Sequence, residues 1–252
     1  MKKIFVFLTA VAIISCVIVY SNCAPRAIIS NLLKQAEIRD GDLQYRFYLF
    51  GVIPIANATL SMPVIESFNG QKAYYLSAAA ENTKLIAPFF SGTALLESYA
   101  DVKSLSPVFF KQLLAVKGKA EAGREVYYDQ KKGVMTISGV KRSILPNTQD
   151  PLSAVFNIRR LDLGTTKDIE LSINNNQKNY ILNGVISQES LSLKKTTYAL
   201  AAVKAEIKRR DKNPYHKSSL TIVFLKDTGN IPILINVFAS GILIKAKLVR
   251  IK

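Results

Sequence analysis

From Leu43 onward the chain alternates apolar and polar residues with a period of two. Leu43, Tyr45, Phe47 and Leu49 fall on one side, and Gln44, Arg46 and Tyr48 on the other. A half-buried strand has that pattern and a helix does not. The closing segment repeats it: Ile242, Ile244, Ala246 and Leu248 share one face, and Lys245 and Lys247 the other. Between them the same reading predicts strands at 52–62, 72–80, 93–102, 108–117, 125–130, 134–141, 168–173, 179–188, 197–207, 220–225 and 231–238. Turn signals separate them, among them Ser67-Phe68-Asn69-Gly70, Lys131-Lys132-Gly133, Asn174-Asn175-Asn176 and Asp227-Thr228-Gly229-Asn230. Strands this close in sequence pair antiparallel.

One segment departs from the pattern. Asp150 is a helix cap, Pro151 fits the first helical position, and Leu152, Val155, Phe156 and Arg159 share a face. A short helix near 151–160 is predicted, packed on the sheet because so short a helix does not hold alone in water. About a dozen strands exceed what a twisted open sheet accommodates without curling. The predicted fold class is therefore mainly β: a large curved antiparallel sheet, half barrel or barrel, with one short helix and an N-terminal hydrophobic segment.

The N-terminus sets the compartment. Lys2 and Lys3 precede an apolar run over 4–20, the form of a secretory signal or signal anchor. The run is a little shorter than the roughly 20 residues that cross about 30 Å of hydrocarbon. Three fates are open: cleavage near Ser21–Ala24, lipidation at Cys16 in Ile13-Ile14-Ser15-Cys16, which is similar to a bacterial lipoprotein box, or retention as an anchor to the inner membrane. The expected organisation is a signal peptide or anchor over 1–24, a linker or short helix over 25–40, and one exported β-rich domain over 41–252. In the helix reading Ile28, Leu32 and Ala36 are spaced by four. The expected location is the bacterial periplasm or cell envelope.

Composition narrows the chemistry. The 252 residues include 34 Lys and Arg against 18 Asp and Glu, a net charge of +16, with 49% hydrophobic residues. That hydrophobic content excludes disorder as the main state. With two Cys, both in the N-terminal segment, and one His, a disulfide framework and a Cys/His zinc site are excluded. Outside the cytoplasm the polyanions that meet a basic chain are lipid head groups and wall polymers, so nucleic acid is not an expected partner.

Three segments in order resemble the bacterial exported family called domain of unknown function 3108. They are Leu43-x-Tyr45 leading to Phe50-Gly51-Val52-Ile53-Pro54-Ile55-Ala56-Asn57-Ala58; Gln149-Asp150-Pro151-Leu152-Ser153-Ala154-Val155-Phe156; and Leu220–Leu225 followed by Asn230-Ile231-Pro232-Ile233 and Ser240-Gly241-Ile242. The resemblance covers about 43–251. It implies an exported β-rich fold and carries no established catalytic residues.

The residues themselves mark no catalytic centre and no metal or cofactor site. His216 lies in the polar stretch Lys212-Asn213-Pro214-Tyr215-His216-Lys217 and reads as an exposed loop residue. Glu97 and Asp101 fall on one strand face but stand too far apart to converge on a cation. Phosphate-loop glycine patterns are absent from the sequence. Two features stand out. Lys204, Lys208, Arg209, Arg210, Lys212, Tyr215 and Lys217 form a basic cluster suited to anionic head groups. Leu85-Ile86-Ala87-Pro88-Phe89-Phe90 is an apolar loop that either tucks under the sheet or forms a lip, with Phe89 and Phe90, on a cavity.

The leading expectation is a non-enzymatic envelope protein that holds a lipid or other apolar molecule, in a cavity lined by Phe and aliphatic residues opening near the basic cluster. The alternatives are a structural module pairing with another envelope protein through a sheet edge and, last, a glycan hydrolase built on two carboxylates.

Overall fold

The computed structural model of the protein describes residues 23–33, 41–89, 91–175, 177–193, 195–210, 217–226 and 229–252. Fifteen strands form one antiparallel sheet. They are β1 (Leu43–Leu49), β2 (Ile53–Leu60), β3 (Val64–Phe68), β4 (Gln71–Asn82), β5 (Gly92–Asp101), β6 (Pro107–Val116), β7 (Ala122–Asp129), β8 (Val134–Ile137), β9 (Val140–Ser143), β10 (Asp168–Asn175), β11 (Lys178–Leu193), β12 (Thr196–Arg209), β13 (Lys217–Leu225), β14 (Ile231–Ala239) and β15 (Ile242–Ile251). Helix α1 spans Cys23–Leu33 and α2 spans Pro151–Arg160.

The topology follows from the short hairpins. Consecutive strands pair except that β2 skips β3 to pair with β4 and β9 does not pair with β10; β15 pairs with β1, so the first and last strands meet inside the sheet. The path begins at β10 and ends at β9, with β3 attached beside it to β4. The sheet is therefore an open barrel whose unclosed seam lies between β9 and β10. The segment that joins those strands also spans the seam. The Gln149 N–H donates to Ser172 O at 2.7 Å, and the Asn174 N–H donates to Gln149 O at 2.7 Å. Asn179 Nδ2 donates to Ser143 O at 3.1 Å. Strand-edge groups that would otherwise lack partners are satisfied there.

Helix α2 begins where the sequence places it. The Asp150 side chain accepts from the N–H groups of Leu152 and Ser153, and the Ser153 hydroxyl accepts from the Asp150 N–H. This is a capping box with Ser in the position usually held by Glu or Gln. One apolar face was expected, but Leu152, Ser153, Ala154, Phe156 and Ile158 are all buried. The helix lies between two walls. Ala154 and Ile158 cluster with Ile169, Leu182, Val203, Ile222 and Phe224, while Leu152 and Phe156 cluster with Leu76 and Ala100.

The expected greasy inside and wet outside hold for β1, β7 and β15 but not for the middle of the sheet. Ala201, Ala202 and Val203 are all buried in succession, as are Ile222, Val223, Phe224 and Leu225. Alternate residues serve different helices. Ala201, Val203, Ile222 and Phe224 cluster with α2, whereas Leu200, Ala202, Val223 and Leu225 cluster with Ile28 and Ile29 of α1. A strand covered on both faces reads as a continuous apolar run, which is the pattern at 220–225.

Two strand predictions are corrected. The stretch 134–141 is two strands, because Ser138 and Gly139 both adopt positive φ (49° and 77°) and reverse the chain. The stretch 67–70 is only partly turn. Asn69 and Gly70 form a two-residue reversal (φ 50° and 78°), so Ser67 and Phe68 already belong to β3.

Candidate functional site

The hairpin turns β14–β15, β1–β2, β4–β5 and β6–β7 lie side by side along one rim of the sheet. Hydrogen bonds tie each to the next. The Phe50 N–H donates to Leu243 O at 2.6 Å, the Thr83 N–H to Ile55 O at 3.0 Å, and the Lys117 N–H to Ser91 O at 2.9 Å. Thr83 Oγ1 also donates to Pro54 O at 2.8 Å. On the two central turns, large apolar side chains face solvent. Val52 is 73% exposed and Phe89 88%, with Phe50, Ile53 and Leu85 also exposed. Single exposed apolar residues are ordinary; five on two linked turns form a patch.

Backbone geometry sharpens the point. Among the described residues there are four two-residue X–Gly reversals with positive φ at both positions: Phe50-Gly51, Asn69-Gly70, Ser138-Gly139 and Ser240-Gly241. Asn accepts the left-handed region more readily than most residues, whereas a bulky aromatic seldom does. Phe50, at φ 50°, holds an aromatic ring at the rim despite an unfavourable backbone.

The apolar loop does not tuck under the sheet. Leu85, Ala87, Pro88 and Phe89 are exposed. Phe90, Tyr215, His216, Lys212 and Cys16 lie outside the described residues. The basic strand end, Lys208, Arg209 and Arg210, shares the rim with the apolar turns but stands six strand positions from β4, about 29 Å along the sheet at roughly 4.8 Å per strand. Lys208 Nζ is paired with Glu206 Oε2 at 2.8 Å, and the Arg210 N–H donates to Asn179 O.

Helix α2 occupies the interior between the two walls. A gap of about 10 Å³ remains between Leu60, Leu76, Phe156 and Arg159, room for one water at most. A larger groove, about 770 Å³, is open to solvent and crosses β10–β13 between Asp168, Glu170, Val185, Lys204, Glu206 and Thr221. Lys204 of the basic cluster lines it, and none of the apolar turn residues does.

The carboxylates considered for chemistry hold structure. Glu97 Oε1 accepts from the Tyr75 hydroxyl at 2.6 Å, and burial together with that carboxylate pushes the phenol up to about 12. Asp101 accepts from the Ser104 and Lys103 N–H groups, and the Ser104 bond leads the causes that lower its pKa. Among the described residues no three His, Cys, Asp or Glu side chains converge as a metal site would require.

The fold and rim define a class: an open, β-barrel-like sheet plugged by a helix, with an apolar patch on its hairpin turns. A solved structure of this kind is the crystal structure of a β-barrel-like protein of domain of unknown function DUF1849 from Brucella abortus. It aligns with a TM-score of 0.54 at 10% identity, over 84% of this chain and 98% of that one, a likeness of fold. No curated protein matches the chain. The family described as "Protein of unknown function (DUF3108)" matches residues 44–248, and the chain belongs to that family. No enzymatic family is indicated.

Proposed function

We propose that the protein is a non-enzymatic domain of the bacterial cell envelope that binds lipid at its rim and does not carry it inside. The observation behind this reading is the pair of linked turns with Phe50, Val52, Ile53, Leu85 and Phe89 facing solvent. Side chains of this size gain roughly 1.5–3 kcal/mol each when fully removed from water, and lipid is the abundant apolar partner in the envelope. The positive start and apolar run at the N-terminus support export. Helix α2 packs against both walls of the interior, which favours contact at the rim over carriage inside.

Hydrogen–deuterium exchange on the full chain with phosphatidylcholine vesicles tests this. Amides at 49–53 and 83–89 should exchange more slowly when vesicles are added, and amides at 130–133, in the opposite rim, should not change. Unchanged exchange at both rim segments would refute the reading.

A further inference from the structure

Directly below the Phe50–Val52 turn, three cations share the outer face of β1 and β15. Arg46 is the register partner of Lys247, and Tyr48 of Lys245. Lys245 and Lys247 are two residues apart on one strand, so both point to the same side. Lys247 Nζ lies 4.8 Å from the Tyr48 ring centroid. At Gly51, φ +74°, Leu243 Cδ2 comes to 3.0 Å and Lys245 Nζ to 3.6 Å from the position a Cβ would take.

Among the described residues no carboxylate is a register partner of these three cations; Glu81 stands in the same row as Arg46 but one strand beyond Asn57. Arg46 lies between Asn57 and Lys247, Lys247 between Arg46 and Leu234, and Lys245 between Tyr48 and Asn236. Arg46 Nε donates to the neutral Asn57 Oδ1 at 3.2 Å. Like charges opposite one another in a sheet destabilise it. Burial first, and then the neighbouring Lys247, hold the Lys245 ammonium below its usual range. The arrangement is unfavourable in the free protein and is relieved by an anion.

We infer that Arg46, Lys245 and Lys247 form a binding site for the phosphate of an anionic lipid headgroup, whose acyl chains lie against Phe50 and Val52. The chemistry is that of an amphiphile: charge-assisted donors for phosphate oxygens and, on the turn that ends the same strand, exposed apolar side chains. This rests on the rim-binding reading and adds the lipid class and the residues that select it.

The test uses the full chain in phosphatidylcholine vesicles with a rising fraction of phosphatidylglycerol. Exchange at 49–53 should slow further as the anionic lipid is added. In Lys245→Gln/Lys247→Gln the fraction needed for half of that effect should rise at least about tenfold, from the loss of two surface charges. Lys131→Gln/Lys132→Gln removes the same charge from the opposite rim and should behave as the parent does. The thermal midpoint of Lys245→Gln/Lys247→Gln should be unchanged or higher, which separates lost binding from lost folding.

A second arm adds inorganic phosphate. Competition at millimolar concentration would identify a free-phosphate site and overturn the lipid assignment, as would equal weakening by both double variants. Protection by phosphatidylcholine without any response to phosphatidylglycerol would refute the headgroup site and leave the rim reading intact. Absence of protection with either lipid would refute both.

Discussion

The Ser98 hydroxyl donates a 2.6 Å hydrogen bond to Asp150 Oδ2. It links the middle of β5 to the first residue of the α2 cap, 52 positions later. Both side chains are fully buried. The other oxygen, Oδ1, accepts from the N–H groups of Leu152 at 2.7 Å and Ser153 at 3.0 Å. One carboxylate thus starts the helix and fixes it against one wall of the barrel. In Ser98→Ala the carboxylate keeps its cap but loses its tie to the sheet. Leaving a buried charged acceptor short of a partner costs roughly 1–3 kcal/mol. Urea unfolding should show that loss, whereas Ser77→Ala, on the opposite face of neighbouring β4, should be nearly neutral.

The same carboxylate gives a dependence on pH. Burial raises the Asp150 pKa above its ordinary value of 3.8, outweighing the hydrogen bonds from Ser98, Ser153 and Leu152. A raised acid binds its proton more tightly in the folded state. Its contribution to stability is therefore fully present below the ordinary carboxylate range and is lost as pH rises through the folded value. Asp150→Asn retains a cap oxygen and has no proton to lose. The stability of Asp150→Asn relative to the parent should increase as pH is raised from 3.8 and then level off. A difference that stays flat, or runs the other way, would contradict the assignment. Comparing the two proteins cancels Asp101, Asp129 and Asp162, whose pKa values move downward.

What the sequence made legible was local. The alternation at 43–49 and 242–251 sets strands whose sides differ in polarity, and Asp150-Pro151 announces a helix by its capping chemistry. Segment 64–68 was not read as a strand because Pro63 interrupts the run and its residues are largely exposed on an edge. The hairpin β11–β12 runs further than predicted, to Leu193 and Thr196, because Gln188–Ser192 is mostly polar and resembles a turn. Helix α1 begins at Cys23, earlier than the spacing of Ile28, Leu32 and Ala36 suggested, since proline is tolerated in a first helical turn. Of the rim only the apolar loop from Leu85 was legible, and not its neighbours. Which turns share an end depends on how many strands separate them, and Arg46 meets Lys247 only because the last strand pairs with the first.

Close packing between β11 and β12 makes another prediction. A Cβ on Gly184 would stand 2.7 Å from the Ala205 Cβ and 2.9 Å from Lys204 O. Neither neighbour is the far end of a flexible side chain, so the strands themselves must separate. Gly184→Val adds branching at that point and should destabilise by about 1–3 kcal/mol, the range of core overpacking. Ala205→Gly, which reopens the space, should restore part of the loss in the double variant. Additivity of the two changes would show that the contact is not the cause.

Phe50 is where stability and the proposed role pull apart. At φ 50° beside Gly51, the position suits Asn, as at Asn69-Gly70 in the same protein. Its ring is exposed, so little packing is lost on replacement. Phe50→Asn should stabilise the fold by about 0.5–1 kcal/mol, because the left-handed turn no longer strains a bulky side chain. Yet it removes an aromatic ring from the rim and should weaken the vesicle-dependent protection of 49–53. The two measurements, thermal or urea unfolding and exchange with vesicles, should move in opposite directions. If Phe50→Asn were more stable and bound vesicles as well as the parent, the ring would contribute nothing to lipid contact and its placement in a left-handed turn would lack a functional account. If it were less stable, the ring would have to pack on its own sheet, and the apolar turns would be part of the core and not a surface that meets lipid.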